Sequence, residues 1–478
     1  MTRRFLALDL GAESGRAILA QLNNGKLQLS DLHRFANTPV RLPTGLYWDT
    51  PRLFYEICES IGAAAKATDE LDGIGVDTWG VDFALLASNG SLLENPRHYR
   101  DARTVGILER VFAEVPQAEI FRQTGIQFMN INSLYQLYAA QQESAELLAC
   151  AAKLLFMPDL FNYFLTGSLV SERTIASTSQ FYDPLKKRFA TDMLRKLGIQ
   201  AAFLPELVDP GTDLGAVLPY ISEQYGLTRD VPVYATAAHD TASAIAAVPA
   251  SPKDNWCYIS SGTWSLMGVE LEQPIITDAS LEANFTNEAG VEHTIRFLKN
   301  IPGLWILQEC RRAWAQNGEE YSYAELMERA AATKPSATIL DLEHFSSPGN
   351  YPKLICDFCR QTDQEVPPDA GATVRVILYS LAVRYKHVLE LLENLTGRQI
   401  GIIHIVGGGS RNKLLNQLTA DVTGRRVIAG PAEATAIGNA LVQALGAGDI
   451  ESLEELRSIV RRSFAMEEYR PKEFGAHT

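Results

Sequence analysis

Asp9-Leu-Gly-Ala-Glu-Ser-Gly-Arg16 places an acid at the end of an apolar run and a basic side chain behind a tight turn of small residues. Residues 5–10 before it, and 16–22 and 26–32 after it, read as three short strands joined by glycine-containing turns, a meander that opens a domain. Gly11 and Gly15 permit close backbone approach, and the turn N–H groups with Ser14 can cradle a phosphate. A plain hairpin turn explains the same residues. The stretch is not a P-loop, because the four-residue gap between glycines and the Lys-Ser/Thr pair are missing. Gly73-Ile-Gly75 lacks the third glycine of a dinucleotide fingerprint and runs into Asp77.

Working outward, residues 51–70 read as a helix, with Pro51 suited to its first turn, and residues 73–77 as a buried strand. The second half repeats that order. Residues 256–260 form a strand entering a glycine turn, residues 265–270 leave it, an amphipathic helix runs over 374–395, and residues 402–406 are a buried strand ending in Gly407-Gly408-Gly409. The echo is one of element order and suggests two related α/β domains. A polar, two-proline segment at 248–255 marks the boundary, giving domains over 1–248 and 255–450 and an extension over 451–478. A ligand is expected between the halves, where sites concentrate.

Ser260-Ser-Gly-Thr-Trp-Ser265 is a second small-residue turn at a strand end, in the matching place of the second domain. Two such turns can grip one polyphosphate from both sides. Ile405-Val-Gly-Gly-Gly-Ser-Arg-Asn412 runs a strand through three glycines into a helix for which Ser410 is the expected cap, a place where a nucleotide can lie on bare backbone. Asp77-Thr-Trp-Gly-Val-Asp82 and Ala238-His-Asp-Thr-Ala242 put acids at the carboxyl ends of apolar strands, where α/β sheets place their sites. Such acids serve as sugar ligands, Mg2+ ligands or a general base, and equally as caps and turn formers.

The formal net charge of -14 and pI near 5.2 leave no basic field for nucleic acid or an anionic membrane surface. Hydrophobic residues make up 46% and charged residues 21%, an ordinary globular composition. Asp9 interrupts the apolar run after Arg3-Arg4 too early for a signal peptide, and a cytoplasmic protein is expected. The six cysteines are scattered; only Cys356 and Cys359 form a CxxC, read as structural.

The runs DLGAESGR, GVDTWGVDF, YRDART, GIQFMNINSLYQL, HDTASA, YISSGTWSLMG, NFTNEAG, FLKNIPGLWILQ and IVGGGSRNKLLNQLTAD, in this order, resemble the FGGY carbohydrate kinases over nearly the whole chain. The resemblance implies an α/β fold of two related actin- and hexokinase-like (ribonuclease H-like) domains that close over ATP and sugar. It implies Mg2+-dependent phosphorylation by ATP, and within the family the likeness is to the branch acting on L-rhamnulose at C1, in L-rhamnose catabolism. Ala12, Glu13, Ser14, Gly15 and Arg16 then resemble the first phosphate loop, Thr263 the second, and Gln308 and Gly408 further ATP contacts. Gly80, His239, Asp240, Thr241 and Asn300 resemble the sugar contacts, Asp240 the catalytic base, and Asp9 the acid that holds Mg2+ through water.

His239 on an extended segment is expected to point away from Asp240, with a substrate hydrogen bond or a structural place in the core. Many family members carry a Lys and a Trp in the region Asn132-Ser-Leu-Tyr-Gln-Leu137, and both are missing here, which counts against glycerol or xylulose. A kinase for another ketose such as L-fuculose, a nucleotide-gated chaperone or filament, and a non-catalytic sugar sensor are the alternatives.

Overall fold

The computed structural model describes residues 2–345 and 349–472. The chain forms two compact units: Met1–Pro249, Glu270–Phe297 and Ala434–Ser463 make the first, and Ala250–Val269, Leu298–Glu433 and Phe464–Thr478 the second. This differs from a single division at 248–255, because later segments return to the first unit. The physical reason lies in the helix Ala434–Gly446, whose Ala434, Ala436, Ile437, Ala440, Leu441, Val442 and Ala444 are all buried and need an apolar surface to cover them. The helix Leu453–Ser463, within what the sequence suggested as an extension, also joins the first unit, where Arg457 pairs with Glu270 at 2.8 Å.

The first unit is organised by a six-stranded sheet in the order Asp213–Ala216, Pro232–Tyr234, Gly73–Thr78, Arg3–Leu10, Ser14–Asn23, Lys26–Ala36. The last three strands are the expected antiparallel meander, each longer than the sequence suggested. Gly73–Thr78 runs parallel to Arg3–Leu10, as a crossover through the helix Thr50–Ala67 requires. That helix starts on the Asp49 carboxylate, which accepts the Arg52 N–H at 3.3 Å, and buries Leu53, Ile57, Ile61 and Ala64 along one stripe. Burying a side chain such as Ile57 contributes about 1.5–3 kcal/mol.

The second unit repeats the scheme. Trp256–Ser261 pairs antiparallel with Trp264–Leu271 and parallel with Ile402–Val406, which pairs parallel with Arg426–Ala429. The helix Ala370–Thr396 precedes the parallel strand, starts on Asp369, whose carboxylate accepts the Ala372 N–H at 2.8 Å, and stops at Gly397 in a left-handed conformation. No helix among the described residues is long and apolar enough to cross a membrane. Cys356 and Cys359 lie on the helix Tyr351–Gln361, and no group of three metal-ligating side chains exists among the described residues.

Candidate active site

Strand register assembles the first cluster. Asp77 is paired with Asp9 across the parallel strands, and Asp9 with Arg16 across the antiparallel ones. Residues opposite one another point to the same face, so these side chains form one row. The Arg16 guanidinium donates to Asp9 at 2.5 Å. Asp77 is wholly buried, and its carboxyl is pushed well above the usual carboxylate range by burial first and by the charge of Asp9 second, with Asp240 adding to the effect. The Asn439 side-chain amide, from the helix Ala434–Gly446, donates to Asp77 at 2.5 Å and opposes that rise.

The turn after Asp9 is tighter than expected. Gly11 N–H donates to Ser14 O at 2.9 Å, Asn37 donates its backbone N–H to Glu13 O and its side-chain amide to Gly11 O, and Ser14 already belongs to the following strand. Glu13 and Ser14 are exposed, and Ala12 and Arg16 half-buried. Gly15 is also crowded by its neighbour: a Cβ there would lie 2.2 Å from the Phe35 ring.

His239, Asp240 and Thr241 lie where the strand Pro232–Tyr234 has ended and the helix Asp240–Ala246 begins. Thr78 N–H donates to Ala238 O at 2.9 Å, which anchors the segment beside the Asp77 strand. Asp240 opens the helix and accepts the Thr241 N–H at 2.5 Å, leaving its side chain 31% exposed. The expectation that His239 points away from Asp240 fails, because the extended backbone stops at His239: its Nε2 lies 3.4 Å from Asp240 Oδ1. On its other side Nδ1 meets Glu288 and Arg296, each at 3.3 Å. Gly80 completes this corner, since a Cβ there would sit 3.3 Å from His239 Nε2.

Asp82 turns inward. It accepts the indole N–H of Trp48 at 2.6 Å and of Trp79 at 3.0 Å, the Tyr99 N–H, and the Gln136 amide at 2.8 Å. Burial raises its carboxyl to about 6 despite these donors. Gln136 stands in the region where the Lys and Trp are missing, so that region supports Asp82 from within the fold.

The second unit holds Thr263, Asn300, Gln308 and Gly408. Thr263 O accepts N–H groups of Gly303 and Trp305, which locks the small-residue turn onto the start of the helix Trp305–Gln316. A Cβ on Gly303 would lie 2.6 Å from the Trp264 backbone. Asn300 is on the strand Ile295–Pro302. Gln308 follows on the helix with its buried Oε1 lacking a hydrogen-bond partner among the described residues. Gly407, at φ 82, and Gly409 press on Ser261, whereas a Cβ on Gly408 would meet nothing within 4 Å, so backbone is bare there. Ser410 is not the cap: its hydroxyl donates to Gly407 O within a short turn, and Asn412 caps the helix Lys413–Thr423 by accepting the Leu415 N–H at 3.0 Å.

Residues 4–247 match the FGGY family of carbohydrate kinases, N-terminal domain, and residues 257–447 its C-terminal domain. The chain belongs to the FGGY carbohydrate kinases. Two FGGY kinase relatives are a rhamnulokinase of Bacteroides thetaiotaomicron, 43% identical over 100% of this chain and 97% of the relative, and one of Bacillus subtilis, 40% identical over 99% and 96%. Among solved structures, a xylulose kinase of Lactobacillus acidophilus matches with TM-score 0.80 at 15% identity over 98% of this chain and 94% of that one. A Plasmodium falciparum glycerol kinase with ADP matches with TM-score 0.79 at 15% identity over 99% and 95%. These two support the two-domain α/β fold of the FGGY kinases.

The acids of the first unit fit Mg2+ held largely by water and phosphate oxygens: Asp9 and Asp77 are juxtaposed, and a cation would offset the burial and, second to it, the repulsion from Asp9 that raise Asp77. Bare backbone at Gly408 and the unpartnered Gln308 Oε1 fit a nucleotide. Sequence reading passed over Glu288, Arg296 and Asn439. Charged residues inside strands and an Asn within a largely apolar helix were the available signals.

Proposed function

We propose that this FGGY kinase transfers the γ-phosphoryl group of ATP to the C1 hydroxyl of L-rhamnulose, giving L-rhamnulose 1-phosphate and ADP. The observation that carries the reading is the 43% identity to a rhamnulokinase over 100% of this chain and 97% of that protein. Phosphoryl transfer asks the protein for alignment and charge stabilisation more than covalent chemistry. Asp240 is the base: its partly exposed carboxylate accepts the C1 hydroxyl proton as the C1 oxygen bonds to γ-phosphorus, and the bond to the bridging oxygen breaks to release ADP. His239, Thr241, Gly80 and Asn300 bind the ketose.

Arg16 and the turn residues Ala12 to Gly15 hold phosphate oxygens through N–H groups and the guanidinium. Thr263, Gln308 and Gly408 hold the nucleotide. Asp9 would hold Mg2+ through water, and the ion would supply neutralisation of phosphate charge. The first unit thus serves sugar and phosphate, the second the adenine nucleotide. A cytoplasmic location accords with six free thiols.

ADP release measured across L-rhamnulose, L-fuculose, L-ribulose, D-xylulose and glycerol tests the reading. L-rhamnulose is expected to give the highest kcat/KM. A higher value for L-fuculose or any other acceptor overturns the substrate and leaves the kinase intact.

A further inference from the structure

Glu288 and Arg296 stand on the strands Thr286–Ala289 and Ile295–Pro302, joined by a turn in which Gly290 N–H donates to Thr294 O at 2.7 Å. Arg296 is 0% exposed, and burying a guanidinium is unfavourable unless it is paired and hydrogen-bonded. It is held in three directions. One terminal nitrogen lies 3.1 Å from Glu288 Oε2, Nε donates to Ala289 O at 2.9 Å, and the other terminal nitrogen lies 3.3 Å from His239 Nδ1.

A guanidinium has donors and no acceptor, so its contact with His239 requires a bare Nδ1. A neutral imidazole with a bare Nδ1 carries its proton on Nε2. That nitrogen faces Asp240 Oδ1 at 3.4 Å and the space left by the missing side chain of Gly80. Glu288 Oε2 also lies 3.3 Å from Nδ1 but makes no hydrogen bond among the described residues, and the rival tautomer, with Nδ1–H turned to Glu288, would set N–H against the N–H of Arg296 and a lone pair against the Asp240 carboxylate.

We propose that Arg296, anchored by Glu288, is a positioning residue that fixes His239 as its Nε2–H tautomer and so presents a donor to the Asp240 carboxylate and to the acceptor sugar. Glu288 is suited to the anchor. Burial alone would raise its carboxyl, but foremost the Arg296 charge holds it below the usual range, so it stays ionised. The assignment of His239 and Asp240 to the sugar side rests on the function proposed above; the tautomer itself does not.

The test uses the full chain labelled with 15N-histidine, free of sugar, with the His239 signals assigned by their loss in His239→Gln. The expected long-range 1H–15N pattern is a protonated Nε2 and a bare Nδ1. A protonated Nδ1 with bare Nε2, or a doubly protonated ring at neutral pH, overturns the proposal. The Glu288→Gln/Arg296→Met double variant, which removes both charges together, is expected to lose that pattern and to drop kcat about 10- to 100-fold with KM for ATP unchanged. Retention of both pattern and kcat overturns the role of Arg296. Should the double variant not fold, His239→Gln, whose amide reaches the Nε2–H position, must retain more kcat than His239→Asn; equal loss overturns the proposal. A wild-type protein with the Nε2–H pattern and no activity on L-rhamnulose would sink the substrate reading alone.

Discussion

Asn439 donates its side-chain amide to the Asp77 carboxylate at 2.5 Å, although 362 residues separate the two in the chain. The same amide reaches Gly75 O at 3.1 Å, and the neighbouring Gln443 amide donates to Leu6 O at 3.1 Å, so one helix face ties two strands of the first sheet. Asn439→Leu leaves a buried carboxyl short of a donor. Stability is expected to fall by about 1–3 kcal/mol, read as a lower urea midpoint.

Asp240→Asn keeps size and shape but cannot take a proton. Turnover is expected to fall by a factor on the order of 10^2 to 10^4 while ATP binding, followed by calorimetric titration, stays at the wild-type level. Near-normal ADP release would remove Asp240 from the base role.

Gly438→Ala addresses helix packing. A Cβ at 438 would lie 1.8 Å from Ser243 O, on the helix that Asp240 opens, so the two helices must move apart. Overpacking of this kind is expected to destabilise by about 1–3 kcal/mol and to lower kcat along with it. An unchanged denaturation midpoint would mean that the helices tolerate the shift.

His98 predicts an acid limb of stability. Its Nδ1 accepts the Arg100 N–H at 2.9 Å, and its ring stacks 4.2 Å from that of Trp48. Burial first, and the Arg100 charge second, push its pKa from 6.5 down to about 3. Above pH 6.5 both states are neutral and this group adds no slope. As pH falls towards 3 the unfolded chain takes a proton that the folded one refuses, so unfolding becomes easier by up to about 1.4 kcal/mol per pH unit, levelling off below 3. His98→Asn, which keeps an acceptor for Arg100 and does not titrate, is expected to flatten that limb in thermal melts.

Local patterns carried much of this into the sequence. The meander around Asp9, the helix beginning near Pro51 and the glycine turns at Gly262 and Gly407 were legible because turn chemistry and strand alternation act over a few residues. Ser410 was misread as a cap because Asn412, two residues on, competes for the same task and wins by geometry. The direction of His239 was missed because the strand gives way to a helix at Asp240, a boundary that no breaker residue announces. Glu288, Arg296 and Asn439 stand out as polar residues inside strands and a largely apolar helix, but their partners His239 and Asp77 lie far off in the chain, and single-chain patterning has no handle on such pairings.

The return of Ala434–Ser463 to the first unit sets an order of events on the ribosome. The nascent chain exposes Gly73–Thr78 early, but Asp77 waits for Asn439 until nearly all of the second unit has been translated. Closing the first core is therefore a late event of high sequence separation, the kind that folds slowly. A chain cut short before Ala434 carries Asp240 and the turn at Asp9 yet lacks the helix that seals them, so a prematurely terminated product holds the chemical groups of a kinase without a finished enzyme.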